Sequence, residues 1–146
     1  MSFNVVRQLH CAWLFCCATL FTVIPVQADE TGLTADKILI GQSNAYTGAL
    51  AELGRDYTLG IKTYFEQVNQ AGGVNGRKLE LISLDDAYDT KKTQLNTRAL
   101  IDDKKVFALG FYIGAANTEA IVPLLNENKI PLVATLSGSD SLRSPA

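Results

Sequence analysis

Four short β-prone segments alternate along this sequence with three amphipathic helical segments. In chain order, the predicted strands and helices cover residues 37–43 (strand), 50–71 (helix), 77–84 (strand), 90–103 (helix), 106–113 (strand), 117–128 (helix) and 131–136 (strand). A strand that returns through a helix to another strand implies right-handed crossovers and a parallel sheet with helices on both faces. The sequence therefore predicts an α/β fold, a three-layer sandwich around a parallel sheet.

The clearest joint in this pattern lies at residues 71–77, AGGVNGR. Gly72 and Gly73 are expected to end the preceding helix, because glycine adopts the left-handed conformation after a helix without a steric penalty. Asn75 and Gly76 are typical of a tight turn, and this turn leads directly into the next strand. We therefore expect a helix, a turn and a strand here in immediate succession.

The apolar positions of the helical segments predict which side chains face the sheet. In the first helix these positions are three or four residues apart, as in one face of an amphipathic helix. They are Leu53, Tyr57, Ile61, Phe65 and Val68 in the first helix, Leu95, Ala99 and Leu100 in the second, and Ala120, Ile121, Leu124 and Leu125 in the third. Pro123 lies within the third helix, near its first turns, where proline is tolerated best.

Residues 1–28 have the composition of a secretory signal peptide. Arg7 precedes an apolar run over residues 11–24, and Ala28 ends a small-residue cleavage site. The run has 14 residues, whereas a membrane-spanning helix needs roughly 20. We therefore expect an exported protein that is cleaved after Ala28 and whose residues 29–146 form one domain. An uncleaved anchor and a lipoprotein leader are the alternatives.

Removal of this leader would also remove every cysteine and the single histidine. His10, Cys11, Cys16 and Cys17 all lie within residues 1–28. Disulfides, thiolate or imidazole nucleophiles, zinc sites of the Cys/His type and Ser-His-Asp arrangements are therefore excluded for residues 29–146. The 12 basic and 15 acidic residues left include no basic cluster longer than two, so we expect no nucleic-acid partner. We expect neither catalytic residues nor a cofactor.

Parallel sheets of this kind bind ligands outside the carboxyl ends of their strands, near the point where the strand order reverses. The loops at these ends are residues 44–50, 85–90, 112–118 and 137–141. The segment after the first strand, GQSNAYTG, matches neither the dinucleotide-binding glycine motif nor a P-loop. The sequence therefore predicts a ligand site in these loops and argues against a nucleotide.

Small residues follow the third predicted strand. Gly114, Ala115 and Ala116, with Asn117, would let a ligand approach backbone N–H groups at the start of a helix, where the helix dipole favours a carboxylate. The alternative is that these residues only pack a tight turn, with Asn117 or Thr118 as the helix cap.

Hydroxyl-bearing residues follow the fourth predicted strand. Ser137, Gly138 and Ser139 offer hydroxyls and backbone amides beside the previous loop, which makes them candidate ligand contacts. The alternative is a solvated loop in which Asp140 caps a further helix.

Aromatic and acidic residues lie in the same loops. Tyr46 and Tyr112 are candidates for the walls of a ligand pocket, although partly buried tyrosines often belong to the core. Asp85, Asp86 and Asp89 lie close together after the second strand. We expect no metal site there, because a cation site needs further oxygen ligands and helix capping uses at least one of these acids.

Six segments form an ordered set along the chain: residues 38–41 (ILIG), 47–48 (TG), 71–77 (AGGVNGR), 85–86 (DD), 105–108 (KVFA) and 130–133 (IPLV). In this order and spacing they resemble the amino-terminal lobe of type I periplasmic solute-binding proteins, and most of all the branched-chain amino-acid receptors of ABC importers. The resemblance covers nearly all of residues 29–146. It implies a periplasmic location, a flavodoxin-like topology and a two-lobed receptor that closes on a small solute and delivers it to an ABC permease.

The resemblance also implies where the ligand binds, namely residues 46–48, 114–118 and 137–139. Two departures concern this site: residues 114–116 (GAA) lack a hydroxyl, and Gly138 stands where threonine is common in the family. Since family members are much longer, we expect an incomplete first lobe, either a fragment, a truncated reading frame or a remnant, that binds weakly alone. The alternative functions are a sensory ectodomain of a signalling receptor with this fold and a secreted α/β enzyme without His or Cys.

Overall fold

The computed structural model describes residues 31–143, so the predicted signal peptide lies outside the described residues. In this range the elements follow one another as β1 (Lys37–Asn44), α1 (Ala51–Gln70), β2 (Lys78–Asp85), α2 (Thr90–Asp102), β3 (Ala108–Gly110), α3 (Ala115–Glu119), α4 (Val122–Asn128) and β4 (Leu132–Val133), with a 3₁₀ turn at Asp140–Leu142. All the strand pairs are parallel, in the order β2-β1-β3-β4. The predicted α/β class and parallel sheet are confirmed.

The register of the sheet is set mainly by its first two strands. β1 and β2 pair over eight residues each, from Lys37 opposite Lys78 to Asn44 opposite Asp85. β3 joins the other side of β1 through two pairs, and β4 joins β3 through two more. The chain thus leaves β1 first to one side and later to the other, so the strand order reverses between β1 and β3.

Core residues cover both faces of the sheet. One cluster, against α2 and α4, contains Leu100, Val106, Leu109, Tyr112 and Ile121. The other, against α1, contains Ile40, Ile61, Phe65 and Ala108. Neighbouring residues of β3, Ala108 and Leu109, belong to opposite clusters because successive side chains of a strand point to opposite faces. The three-layer arrangement follows from this alternation.

The joint between α1 and β2 has the predicted form. Gly72 and Gly73 have φ values of 104° and 75°, which end the helix. Val74 and Arg77 then exchange both backbone hydrogen bonds, at 2.8 and 3.0 Å, across the two residues between them. The two intervening residues, Asn75 and Gly76, both have positive φ, as a tight two-residue hairpin turn requires.

The third predicted helix is broken in two. In place of one helix over residues 117–128, α3 starts two residues earlier, at Ala115, and α4 starts at Val122. Pro123 lies in the first turn of α4, has no N–H to donate, and its ring would clash with the carbonyl of Glu119 in a continuous helix. The prediction of a proline tolerated inside one continuous helix was therefore wrong.

Two predicted strands are shorter than the sequence indicates. Of residues 106–113 and 131–136, only Ala108–Gly110 and Leu132–Val133 form strands, with an isolated bridge between Ile113 and Leu136. Phe111 and Ala134 interrupt the two segments with φ values of 63° and 50°. A left-handed residue cannot continue an extended strand, so the pairing stops at these two positions.

The face that α2 turns toward the sheet is partly polar. Leu95, predicted to face the core, is 66% exposed, whereas Thr93, Thr97 and Leu100 are fully buried. These three residues follow a helical spacing of four and three that leaves Leu95 on the outer face. Threonine fits this buried face because the Thr97 hydroxyl donates to the carbonyl of Thr93 at 2.7 Å. Leu53 of α1, at 44% exposure, is a second residue that the sequence pattern placed wrongly in the core.

Candidate functional site

One carboxylate ties the loops after β1 and β2 together at the carboxyl end of the sheet. Asp85 accepts hydrogen bonds from the backbone N–H groups of Tyr46, Thr47 and Ala87 and from the Thr47 hydroxyl, at 2.6 to 3.2 Å. Burial raises the pKa of this carboxyl, but the four hydrogen bonds outweigh burial and lower the pKa to about 2. Asp85 is therefore ionised at neutral pH and fixes the two loops relative to each other.

The segment after β2 crosses the carboxyl end of β1 toward β3. Asp86 donates its backbone N–H to the carbonyl of Asn44 at 2.9 Å. Its carboxylate, which is buried, accepts from the hydroxyls of Ser43 at 2.7 Å and Thr93 at 3.0 Å. Further along, the Thr90 hydroxyl donates to the side chain of Asn117 at 2.7 Å. The second candidate loop thereby contacts the third.

The turn after β3 presents small side chains at the surface. Ala115 and Ala116 are exposed in the first turn of α3, whose N–H groups have no partner within the helix. Asn117 lies beneath them at 3% exposure, and its Nδ2 has no hydrogen-bond partner among the described residues. Because α3 begins at Ala115, neither Asn117 nor Thr118 caps it, which excludes that part of the alternative interpretation. Ala115 and Ala116 are thus the accessible members of this group.

The loop after β4 lies directly beside this turn. Gly114 donates its backbone N–H to the carbonyl of Leu136 at 3.0 Å. In the following residues, the N–H of Ser139 donates to the Ser137 hydroxyl oxygen at 3.2 Å, and Gly138 is exposed. The structure therefore brings the predicted residues of the third and fourth loops together on one surface.

A carboxylate that the sequence did not single out completes this surface. The hydroxyls of Ser139 and Ser141 both donate to Glu119, the latter at 2.9 Å. These two hydrogen bonds lower the pKa of Glu119, so its carboxylate is ionised at neutral pH. A negative charge therefore lies at the last residue of α3, against the loop after β4.

The two candidate tyrosines have different environments. Tyr46 is partly buried, and its hydroxyl lies 2.9 Å from the hydroxyl of Thr58 and 2.6 Å from that of Ser83. Tyr112 is fully buried, its hydroxyl is 2.9 Å from that of Thr97, and burial raises its pKa. The structure corrects the prediction for Tyr112: beyond the left-handed Phe111, its ring packs in the core with Leu100 and Leu109, away from the candidate surface.

The three neighbouring acids are all used in local hydrogen bonding. Asp89 caps α2 by accepting from the N–H groups of Lys91 and Lys92, while Asp85 and Asp86 bind the loops as described. Within residues 31–143, no three acids, histidines or cysteines are grouped as a metal site requires. None of the helices in this range has the length and apolar character needed to cross a membrane.

These features define a class of protein. A parallel α/β lobe whose small residues, hydroxyls and free N–H groups collect at the switch point is suited to bind a small polar solute. The sequence profile of the family described as "Periplasmic binding protein" matches residues 37–146, and the chain belongs to this family.

Similar proteins fit this assignment. An "Amino acid binding protein" of Pseudomonas aeruginosa is 33% identical over 99 residues, which are 67% of this chain and 26% of that protein. A possible leucine/isoleucine/valine-binding protein of Rhodopirellula baltica superposes with a TM-score of 0.71 at 30% identity, over 79% of this chain and 31% of that one. A branched-chain amino acid transporter substrate-binding protein of Streptococcus pneumoniae, solved with isoleucine, gives 0.68 at 26% identity, over 73% and 31%. The chain thus spans less than a third of these relatives.

Sequence reasoning missed two residues of this surface. Glu119 had no distinguishing local pattern, and its role depends on the hydroxyls of Ser139 and Ser141, twenty or more residues away. Tyr88 lies within the candidate loop 85–90 but was not selected. The sequence does contain a signal for Tyr88, namely an aromatic side chain within one of the predicted loops.

Proposed function

We propose that this protein is the extracytoplasmic solute-binding component of an ABC importer, with amino acids or similar small polar solutes as its ligands. In this proposal the solute binds between two lobes, of which residues 29–146 contribute part of the first. Residues 1–28 direct export and are removed after Ala28. The loaded protein then delivers the solute to a permease in the membrane, and it catalyses no reaction.

The observation that carries this proposal is the pairing of opposite polarities at the switch point. The first-turn N–H groups of α3 at Ala115 and Ala116 are suited to a carboxylate, while the ionised Glu119 at the end of the same helix is suited to an ammonium group. An amino acid carries both charges. Its α-carboxylate and α-ammonium groups would therefore each find a partner of opposite polarity on this surface, with the hydroxyls of Ser137 and Ser139 alongside.

The relatives support the choice of ligand class. Proteins named for binding leucine, isoleucine and valine share the fold and between about a quarter and a third of the aligned residues. The absence of a hydroxyl at residues 114–116 distinguishes this chain from an amino-acid site that relies on side chains there. In this protein the backbone would hold the carboxylate.

Equilibrium dialysis of the full-length protein, meaning the two-lobed protein that contains residues 29–146, with radiolabelled L-leucine tests the proposal. We expect saturable binding that unlabelled L-isoleucine and L-valine compete for. Ala115→Asp should weaken it at least tenfold, since it places a negative charge where the carboxylate binds. Ala71→Asp is the matched control, because Ala71 is an exposed alanine at the opposite end of the sheet.

Two results would contradict the proposal. The first is a folded protein, as judged by circular dichroism, that binds none of the three amino acids at millimolar concentration. The second is binding that Ala115→Asp and Ala71→Asp change equally, because the ligand would then lie away from the carboxyl-end surface.

A further inference from the structure

Tyr88 lies against the turn after β3, close to the point where the strand order reverses. A Cβ atom added to Gly114 would come within 2.5 Å of the Tyr88 hydroxyl and 2.7 Å of ring atom Cε2. Such distances are well inside van der Waals contact, so the tyrosine ring occupies the space that a side chain at position 114 would otherwise fill. Gly114 and Tyr88 are therefore complementary, because the absence of a side chain at position 114 leaves room for the tyrosine ring.

The backbone at this site is held in an unusual conformation. Ala87 and Tyr88 have φ values of 51° and 62°, a region that non-glycine residues rarely adopt. Hydrogen bonds from their N–H groups to the carboxylates of Asp85 (3.0 Å) and Asp86 (2.8 Å) stabilise it. Both acids are themselves bound to β1 or its loop, so the position of Tyr88 is fixed by the sheet. Strain that the surroundings maintain is typical of ligand sites.

The Tyr88 hydroxyl differs in its hydrogen bonding from the hydroxyls of the partly or fully buried tyrosines. The hydroxyls of Tyr46, Tyr57 and Tyr112 bond to Ser83, to the carbonyl of Ala134 and to Thr97, respectively. Tyr88 is 41% exposed, and among residues 31–143 no hydrogen bond engages its hydroxyl. It is thus an oriented donor that faces the surface on which the solute is proposed to bind.

We propose that Tyr88 contacts the ligand and determines specificity: its ring forms a wall of the site, and its hydroxyl donates a hydrogen bond to the ligand carboxylate. The hydroxyl thereby replaces the side-chain donor that Gly114 cannot provide. This inference rests on the proposed function, since it concerns the same site and the same class of ligand. It extends that proposal by identifying a side chain that donates to the ligand carboxylate together with the backbone of residues 114–116.

The test measures L-leucine binding to full-length protein carrying Tyr88→Phe, with Tyr64→Phe as the matched control. Tyr64 is an exposed tyrosine on α1, away from the carboxyl-end loops. Loss of a hydrogen bond to a charged group should raise the Kd for L-leucine about tenfold in Tyr88→Phe and leave it unchanged in Tyr64→Phe. A second readout uses protein labelled with ¹³C in its tyrosine rings, in which the signal absent from Tyr88→Phe identifies Tyr88. L-leucine should shift this signal and leave that of Tyr64 in place.

The inference about Tyr88 requires both the raised Kd of Tyr88→Phe and the shift of the Tyr88 signal. If wild-type protein binds L-leucine but Tyr88→Phe binds it equally well, or if the Tyr88 signal does not move, the inference about Tyr88 is overturned while the proposed function stands. If folded wild-type protein binds none of the three branched-chain amino acids, the proposed function fails and this inference fails with it.

Discussion

The two faces of the sheet are covered to different degrees. Against α2 and α4, each of the five cluster residues is at most 1% exposed. Against α1, Ile40 and Phe65 retain 9% exposure, Phe111 is only partly buried and Val133 is 46% exposed. A groove beside α1 is lined by apolar side chains, including Tyr57, Ile61, Tyr64 and Phe111. The chain thus completes one of its two cores more fully than the other.

Directed hydrogen bonds support the less covered face. Gln42 of β1 is fully buried there, donates to the carbonyl of Phe111 at 3.0 Å and accepts from the hydroxyls of Thr58 (3.1 Å) and Ser83 (2.8 Å). The same face holds Gly54 of α1 so close to the first loop that an added Cβ would lie 1.8 Å from the carbonyl oxygen of Ala45. Packed apolar and polar side chains thus close the α2 face, whereas on the α1 face directed hydrogen bonds and a close helix approach position the candidate loops.

The largest expected effect separates the two faces directly. Leu109→Ala should lower the free energy of unfolding by about 3 kcal/mol, because it opens a cavity among fully buried side chains. Phe111→Ala, on the α1 face, should cost only about 1–2 kcal/mol, since the phenyl ring already contacts solvent. Urea unfolding of the full-length variants, followed by circular dichroism, measures both. Equal losses would contradict the difference between the faces.

The next effect concerns the buried polar network of the α1 face. Gln42→Leu should destabilise the protein by about 2 kcal/mol, since it leaves the carbonyl of Phe111 and two buried hydroxyls without their partner. Gln67→Leu is the control, because Gln67 is exposed on α1, and its effect should stay within about 0.5 kcal/mol. If Gln42→Leu were as mild as its control, apolar packing would be sufficient on this face as well.

A smaller effect should appear at the edge where the two faces meet the ligand loops. The pKa of Asp85 is lowered from 3.8 to about 2 in the folded protein, so its ionised form stabilises folding. This contribution is present above about pH 4 and is lost as the pH falls toward 2, because the unfolded chain takes up the proton first. Asp85→Asn should therefore lower stability at neutral pH by about 1 kcal/mol, an effect reduced by solvent screening.

Thermal unfolding between pH 2 and 7 measures this dependence. The decline of stability below pH 4 should be shallower in Asp85→Asn than in wild type, and Asp56→Asn, which changes an exposed acid of α1, should leave the slope unaltered. Identical slopes in wild type and Asp85→Asn would show that the carboxylate does not hold the loops as described.

The smallest effect tests the polar face of α2. Leu95→Ala should change stability by no more than about 0.5 kcal/mol, because Leu95 is 66% exposed. Leu100→Ala, five residues further along the same helix, should cost about 3 kcal/mol, because Leu100 is fully buried. Similar values for the two leucines would contradict the orientation of α2, and urea unfolding of the pair decides between them.

Sequence patterns predicted the elements well wherever the signal was local. The 3.6-residue period of α1, the glycines at residues 72–73 and the acid that caps α2 are all encoded within a few positions, and each is confirmed. The patterns failed where pairing between distant segments decided the outcome. The left-handed residues Phe111 and Ala134, which end β3 and β4, carry no local signature of that conformation.

The candidate site divides in the same way. Its loops could be predicted, because the carboxyl ends of parallel strands lie at one edge of the sheet whatever the details. The burial and contacts of individual side chains could not be predicted. Tyr46 and Tyr112 both occur near strand ends, yet Tyr46 is only partly buried and Tyr112 is fully buried, because the left-handed Phe111 breaks the strand alternation just before Tyr112. Tyr88 and Glu119 depend on contacts with Gly114 and with two serines in other loops.

By itself, the sequence determined the class of fold, the order of its elements, the loops that meet at the carboxyl edge of the sheet and the family to which the chain belongs. These properties follow from periodicity, turn residues and ordered motifs, which act over short stretches of chain. Only the tertiary structure decided the unequal covering of the two faces, the burial of Tyr112 and the approach of Tyr88 to Gly114. Such properties arise when residues far apart in sequence compete for the same space and the same hydrogen bonds, and no local pattern records the result.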